Sequence, residues 1–392
     1  SRKRQTQWLT EKNGITGSLH EVDGKRFDLR MTADGFESRG KGDQAHQDQI
    51  VDLAARIGLK TPTLDITADP EGKGPATRLI KVAGDLDPAA RYKVTAVERK
   101  QSRSRPHAPF ITTSLQAAAA NTLGFTASRT MGAAQQLYQG VSLPGEGQIG
   151  LITYMRTDST HLSPEAMDGA REYIATNCGK EYLPEKPNQY STSNRDAQEA
   201  HEAIRPTDPS RHPDSLPSTV KEELRKLYGL IWRQFISSQM VHAVWDRTDV
   251  KLQRSDSDTG VIFRCSGRTL VFDGFYRITG TPSSEREQTL PTMKEGQIYA
   301  PFSMEPDQRF TAPPSRYNEA SLVKNLEAEG IGRPSTYASI IEVIQKRAYV
   351  EKLERAFHPT DIGEVVTDKL MEAFPQLMDL GYTRSMEADL DR

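Results

Sequence analysis

Apolar side chains recur along this chain with two periods, and the change between them divides it. From residue 17 to 100 they come in short β-branched and aromatic runs, at Ser18–Val22, Phe27–Met31, Leu79–Val82 and Tyr92–Val97, which predicts strands. One amphipathic helix interrupts them around Ala45–Ile57, with Leu53 and Ile57 one turn apart and Asp43 as a candidate cap. From about residue 109 the period is that of helices. The pattern predicts helices over Ser114–Thr122, ended near Gly124, and over Ala127–Gln139, with Thr126 as N-cap and Gly140 just past the end. Val141–Gln148, with Pro144, Gly145 and Gly147, reads as a loop, and Ser163-Pro164 starts a helix to about Asn177. A long helix over Thr219–Gln239 carries Leu224, Tyr228, Ile231, Trp232 and Phe235 on one face, a core stripe.

Strand-like runs return at Arg247–Leu252, Val261–Cys265, Thr269–Phe272 and Gly274–Arg277. The chain thus leaves a β-rich layer near residue 108, makes a helical excursion and re-enters near 241, and two such crossings form a natural hinge pair. Residues 317–360 then repeat the helix, turn, helix order of the excursion. Asn318 caps a helix over Glu319–Glu329, Gly330 ends it, Pro334 opens a second to Lys346, and Tyr349–Phe357 reads as a wing. A last helix spans Asp361–Phe374 with Thr360 as cap. Residues 1–16, with Trp8 and Leu9, read as the tail of an element that begins elsewhere.

The stretch Gly150-Leu151-Ile152-Thr153-Tyr154-Met155-Arg156-Thr157-Asp158-Ser159 carries candidate chemistry. Leu151–Arg156 predicts a short, largely buried strand, which places Tyr154 and Arg156 on one face. A phenol is a poor nucleophile while protonated, with a reference pKa of about 10, and a fixed cation nearby favours the phenolate. The same guanidinium can pair with a phosphate under attack. Read alone, Tyr-x-Arg on a strand is far more often a buried tyrosine capped by an arginine.

Composition changes this picture little. With 392 residues, two to four domains are expected, and 36% hydrophobic and 27% charged residues describe an ordinary globular chain. There are 51 basic and 53 acidic residues, for a net charge of −2, so any nucleic-acid contact must rest on local positive charge. Arg99-Lys100-Gln101-Ser102-Arg103-Ser104-Arg105 is the clearest such patch, equally readable as a solvated linker. Cys178 and Cys265 form no Cys-x-x-Cys pair, which argues against a zinc ribbon or a disulfide framework and for a reducing compartment. Asp85-Leu86-Asp87 sits between Gly84 and Pro88 and reads as a turn rather than a metal site. His201-Glu202 lacks a second histidine four residues on, where Arg205 stands, so a zinc-protease site is rejected. Gly330-Ile331-Gly332-Arg333-Pro334-Ser335-Thr336 places a guanidinium and two hydroxyls at a helix start, a seat suited to phosphate or simply an exposed cap.

The string LITYMRTDST, running on into HLSPEA, resembles the active-site segment of type IA DNA topoisomerases, closely the bacterial topoisomerase I branch. The strings at 109–116, 198–206 and 317–340 resemble the same family, and the likeness extends from about residue 92 to 392. The resemblance implies a multidomain α+β arch: a β-rich gate layer (17–108 with 241–311), an inserted helical domain (109–240), a winged-helix-like base domain (312–392), and residues 1–16 as a remnant of the base. It implies Tyr154 as nucleophile, Arg156 and His201 as catalytic partners, and Arg205, Arg333, Ser335, Thr336, Arg103 and Arg105 as DNA contacts. It implies an ATP-independent isomerase, and the sequence has no Gly-x-x-x-x-Gly-Lys-Ser/Thr loop. Single-stranded or negatively supercoiled DNA is the implied partner, for a cytoplasmic, nucleoid-associated monomer without a membrane span. The family's Mg²⁺ is implied on an N-terminal Toprim domain whose Asp-x-Asp-x-Glu cluster is not in this sequence, and no metal is expected on this chain. The Toprim domain and C-terminal zinc ribbons being absent, the chain reads as a piece that neither relaxes DNA nor religates efficiently alone. The competing readings are a non-catalytic single-stranded DNA-binding module, a relaxase, a tyrosine recombinase and a scaffold. The scattered histidines argue against a relaxase, and the order Tyr154, His201, Arg205 against a recombinase.

Overall fold

The structure, a computed structural model, describes residues 2–10, 15–26, 30–31, 41–72, 77–190, 202–282, 288–301, 303–310 and 314–390. The fold mixes helix and sheet, and the chain divides into two compact units. Ser1–Arg103, Val244–Phe272 and Pro282–Pro314 form the first; Ser104–Ala243, Asp273–Thr281 and Ser315–Arg392 form the second. The stretches expected as an inserted domain and a base domain therefore share one unit.

In the first unit, β1 (Arg2–Thr10), β2 (Ile15–Val22), β3 (Lys25–Arg26) and β4 (Arg30–Met31) precede α1 (Lys41–Ile57). β5 (Leu59–Ala68) and β6 (Arg78–Leu86) pair with each other, and β7 (Tyr92–Ser104) leads out. With β10 (Ala243–Arg254), β11 (Val261–Phe272), β12 (Ile298–Tyr299) and β13 (Ser303–Phe310) they build a nine-stranded sheet ordered β12-β7-β10-β11-β2-β1-β13, with β3 beside β2 and β4 beside β1. Along β2 and β11 buried positions alternate with half-buried ones, as a sheet with one covered face requires. Ala54 and Ile57 of α1 close that face over Ile15, Tyr92, Val250, Leu252 and Phe263. Each of the large side chains so buried contributes about 1.5–3 kcal/mol. The Tyr92 hydroxyl donates to the Ile57 carbonyl, which satisfies the polar end of a buried ring.

The second unit holds α2 (Thr112–Leu123), α3 (Ala127–Gln139), β8 (Val141–Leu143), β9 (Gly147–Ile149), α4 (Pro164–Asn177), α5 (Glu222–Ser238) and the single turn α6 (Tyr276–Thr279). It continues with α7 (Glu319–Ala328), α8 (Tyr337–Lys346), β14 (Val350–Leu353), β15 (Ala356–Pro359), α9 (Asp361–Ala373) and α10 (Leu380–Leu390). The apolar stripe of α5 is the core: Leu224, Leu227, Tyr228, Ile231, Trp232, Phe235 and Ile236 are buried. Its polar edges tie down the loops around it. Trp232 donates to Pro209 O (2.9 Å), Tyr228 to Arg211 O (2.7 Å) and Gln234 to Ala108 O (2.7 Å).

The expected caps are present where chemistry alone specifies them. Thr126, Ser163, Asn318 and Thr360 accept from Arg129, Ala166, Ser321 and Gly363 N–H respectively. Other elements differ from expectation. α1 begins at Lys41, two residues before its expected cap at Asp43. Val141–Gln148, expected as a loop, is mostly the β8–β9 hairpin; Gly145 (φ 80°) supplies the positive φ of its turn and Gly147 (φ 79°) opens β9. Gly274–Arg277, expected as a strand, is a turn running into α6. Residues 2–10, expected as a remnant of a base domain, pair as β1 between β2 and β13. Of the strand expected over Phe27–Met31, residues 27–29 lie outside the described residues, and Arg30–Met31 is strand.

Candidate active site

Leu151–Arg156 is not a regular strand. It is an extended segment with one isolated bridge, Ile152 to Pro206. Its apolar, β-branched sequence reports burial rather than membership of a sheet. The segment is clamped on both sides. On one side Thr153 N–H donates to Arg205 O (2.9 Å), the Thr153 hydroxyl donates to Ala203 O (2.7 Å), and Arg205 N–H donates back to that hydroxyl (3.0 Å). Thr207 N–H donates to Leu151 O (3.0 Å). On the other side stands the first turn of α2. The buried Thr112 hydroxyl accepts Thr157 N–H (2.9 Å) and donates to Met155 O (2.8 Å), while Thr112 N–H donates to Thr157 O (2.9 Å). Each such bond is worth about 0.5–1.5 kcal/mol net, and losing one partner of a buried pair costs more.

This clamp decides which side chains reach solvent. Leu151, Ile152, Met155 and Thr157 are buried, whereas Tyr154 is 44% exposed and Arg156 is exposed beside it in the alternation. Tyr154 and Arg156 are thus both exposed without a strand, while Ile152, expected on their face, is buried and a bend at Met155 stands between them. The Tyr154 ring meets the Tyr138 ring edge-on, with centroids 5.3 Å apart.

His201, expected as a third catalytic residue, lies outside the described residues. Arg205 is turned to structure: it donates to Glu202 (2.6 Å) and to Pro206 O (3.1 Å), and only 14% of its side chain is exposed. Glu202 in turn accepts Ser163 N–H (2.7 Å) at the start of α4. Burial pushes the Glu202 carboxyl up, but the bonds from Arg205 and Ser163 outweigh it and hold the group below its usual range. On the opposite side of the segment, burial raises the Glu327 carboxyl on α7; the nearby Asp158 charge adds to this, and Thr113 and Lys324 oppose it.

The Gly330–Thr336 turn does form an anion seat, and a carboxylate fills it. Glu387 of α10 accepts Gly332 N–H through both oxygens (2.9 and 2.8 Å) and Arg333 Nη1 (2.6 Å). Thr336 closes the turn by accepting Arg333 N–H (2.8 Å), and Ser335 and Thr336 are exposed. The helix starts at Tyr337 rather than at Pro334. Arg103 and Arg105 are exposed at the end of β7 and just beyond it. Sequence reasoning missed Thr112, Tyr138 and Glu387, because each acts through a partner distant in the chain, and Glu202, whose pairing with Arg205 three residues on appears only in the fold. Among the described residues, no three His, Cys, Asp or Glu side chains are placed to hold a metal ion. The Asp87 carboxylate accepts Ala89 N–H (3.0 Å), the turn expected there. These residues do not make a seat for Mg²⁺. Nor does any described helix have the length and apolarity to cross a membrane.

An exposed phenol two residues from an exposed guanidinium, on a backbone held by buried hydrogen bonds, is suited to covalent phosphoryl transfer. Comparison with known proteins agrees with that class. The family model described as DNA topoisomerase matches residues 74–392. DNA topoisomerase 1 of Pseudomonas aeruginosa is 47% identical over 304 residues, covering 77% of this chain and 33% of that protein. DNA topoisomerase 1 of Xylella fastidiosa strain Temecula1 is 41% identical over 341 residues, covering 85% and 41%. The structure of full-length topoisomerase I from Thermotoga maritima aligns with a TM-score of 0.74 at 29% identity, covering 100% of this chain and 55% of that one. The chain belongs to the DNA topoisomerase family, in its type IA branch. It spans 33% and 41% of the length of these two curated relatives.

Proposed function

We propose that this chain is the DNA-cleaving part of a type IA topoisomerase, whose whole protein relaxes negative supercoils by passing a strand through a transient break in single-stranded DNA. The observation that carries this reading is the exposure of Tyr154 on a segment clamped by buried hydrogen bonds, with Arg156, two residues on, exposed as well. Tyr154 Oη attacks a backbone phosphorus in line. The Oη–P bond forms as the P–O3′ bond breaks, the phenol proton passes to solvent, and the leaving oxygen takes up a proton as a free 3′-hydroxyl. The product is a 5′-phosphotyrosine, and Arg156 offsets the charge on the non-bridging oxygens. Religation is the same displacement in reverse, so the bond energy is conserved without ATP.

In this reading Arg333, Ser335, Thr336, Arg103 and Arg105 grip backbone phosphates, and His201 serves as a catalytic partner of Tyr154. Arg205 acts indirectly, through the backbone it shares with Thr153. The nine-stranded layer is the gate, residues 112–149 and 319–359 are winged-helix-like modules, and the crossings near 104 and 243 are the hinges. Mg²⁺ belongs to a further domain of the whole protein, which works as a monomer on the nucleoid in the cytoplasm.

The test is covalent capture of a 3′-labelled single-stranded oligonucleotide by the full-length protein with Mg²⁺. Denaturation should leave label on the wild type and none on Tyr154→Phe, with DNA binding within about twofold. An adduct that persists in Tyr154→Phe sinks the reading. Relaxation of negatively supercoiled plasmid by this chain alone would overturn the assignment of the metal to a further domain.

A further inference from the structure

The last turn of α3 touches the nucleophile segment twice. Its carbonyls have no partner within the helix and are free to accept from elsewhere. Leu137 O accepts Leu151 N–H at 2.8 Å, and Gly150 passes so close that a Cβ there would stand 2.7 Å from Tyr138 O. The β8–β9 hairpin makes this return possible: Val141 pairs with Ile149, and the Gln148 side chain donates to Gly140 O (2.8 Å). The chain that leaves α3 is thus brought back against the same turn. Tyr138, 42% exposed, packs its ring edge-on to Tyr154, with centroids 5.3 Å apart and planes at 64°.

We propose that Tyr138 is a positioning residue whose ring holds the Tyr154 ring in one rotamer on the exposed side of its segment. The inference rests on Tyr154 being the nucleophile. An exposed tyrosine on an extended backbone has three staggered χ1 wells open to it, and only some bring the hydroxyl to a phosphate gripped by neighbouring side chains. An edge-to-face neighbour biases that choice by about two- to tenfold, given the strength of such pairs. The partner is itself fixed, because it rides on a helix whose terminal carbonyl binds the start of the nucleophile's own segment. Ring and backbone move together, so the pair keeps its geometry if the segment is displaced as a body. The edge-on contact uses the ring and not the Tyr138 hydroxyl, so phenylalanine should serve as well as tyrosine.

The experiment measures single-turnover adduct formation by the full-length protein at saturating labelled oligonucleotide, and DNA affinity separately by anisotropy. Tyr138→Ala should slow adduct formation about two- to tenfold with affinity within twofold, and Tyr138→Phe should restore the wild-type rate. A wild-type rate in Tyr138→Ala overturns the proposal. So does equal slowing in Ala and Phe, which would make the hydroxyl the active group, or weaker affinity with an unchanged saturated rate, which would make Tyr138 a base-stacking contact. Loss of fold is separated by 3-fluorotyrosine at position 154, read by ¹⁹F NMR. Its resonance should move toward that of free fluorotyrosine in Tyr138→Ala and stay in place in Tyr138→Phe; no movement in either refutes the contact. Tyr154→Phe is the control on the underlying reading: its adduct, if any, counts against the nucleophile and not against Tyr138.

Discussion

Two stretches of the second unit share one plan and place their candidate chemistry at opposite ends of it. Residues 112–149 run helix, turn, helix, hairpin, and so do residues 319–359. In the first, only residues 124–126 separate the helices, and the candidate nucleophile comes after the hairpin, on the segment folded back against α3. In the second, residues 329–336 separate the helices, and that longer turn is itself the candidate site, with Gly330 (φ 69°) and Gly332 (φ 81°) bending it around Arg333. One plan thus serves two demands. A nucleophile needs a backbone that cannot shift, which buried bonds from Thr112 and Thr153 provide. An anion seat needs N–H groups and a guanidinium that can exchange partners, which a surface turn provides.

The sharpest way to break the comparison is at Gly150. An added Cβ would meet a backbone oxygen, not a flexible side chain, so Gly150→Ala must move either α3 or the nucleophile segment. The expected cost is about 1–3 kcal/mol, seen as a lower Tm, with adduct formation falling at least tenfold. The change has no counterpart in the second stretch, where Ser335→Ala at an exposed position should leave stability within about 0.5 kcal/mol of wild type. Equal small effects at both sites would show that the first backbone is not the more constrained.

The two stretches also meet, α2 packing against α7 and α3 against α8. Ala127 at the start of α3 is buried among Val323, Tyr337, Ile341 and Phe357. Its N–H donates to the Glu319 carboxylate (3.0 Å), which also accepts Lys352 Nζ (3.1 Å), and Ser128 donates to Glu342 (3.1 Å). A buried carboxylate at a helix N-terminus with a cation beside it is a favourable arrangement that loses much if one member goes. Glu319→Ala should cost about 2 kcal/mol by thermal melting, and Glu319→Gln less, since its amide oxygen can still accept one of the two bonds, which go to separate carboxylate oxygens. A larger loss from Gln than from Ala would mean that something other than acceptance matters there.

What could be read from the sequence follows the range of the interaction. Thr126, Ser163, Asn318 and Thr360 were readable as caps because an N-cap binds a residue three positions away. The side-by-side exposure of Tyr154 and Arg156 was readable because extended backbone alternates whether or not it is paired. The strand itself was not, because burial under Thr112 and beside Arg205 produces the same apolar pattern as a sheet. The β8–β9 hairpin was hidden by glycines that read as loop and in fact make its turn and open β9. Arg205 reads as a phosphate ligand from its charge, and only the fold shows that it is largely buried and paired with Glu202 three residues before it. Glu387 and Tyr138 gave no local signal, since one depends on α10 reaching the 330–336 turn and the other on the hairpin's return.

The occupied seat offers a milder test. The Glu387 carboxylate holds the groups that a DNA phosphate would use, so Glu387→Gln removes a competing charge. Single-stranded DNA affinity should rise about threefold at low salt, and Arg333→Ala should lower the slope of log affinity against log salt by about 0.7. Unchanged affinity in Glu387→Gln would mean that phosphate and carboxylate do not share this seat.

The smallest effect concerns pH and sets the two sides of the nucleophile segment against each other. Glu327 has its pKa raised, first by burial and further by Asp158. A carboxyl that binds its proton more tightly when folded gives its full stability below the ordinary carboxylate pKa of about 4.3, and loses it as pH rises through the higher folded value. Glu202 is lowered, because the Arg205 and Ser163 bonds outweigh its burial, so its contribution is present above the ordinary pKa and disappears as pH falls. From mildly acidic to neutral pH the α2–α7 side should therefore loosen, while the 202–207 side, already at full strength above the ordinary carboxylate pKa, should not change. Amide exchange, corrected for its intrinsic pH dependence, should show Thr157 N–H, which Thr112 holds, losing protection from mildly acidic to neutral pH. Thr153 N–H, which Arg205 holds, should not. Glu327→Gln should flatten the first trend and leave the second, and a Thr157 trend unchanged by that substitution would remove Glu327 as its cause.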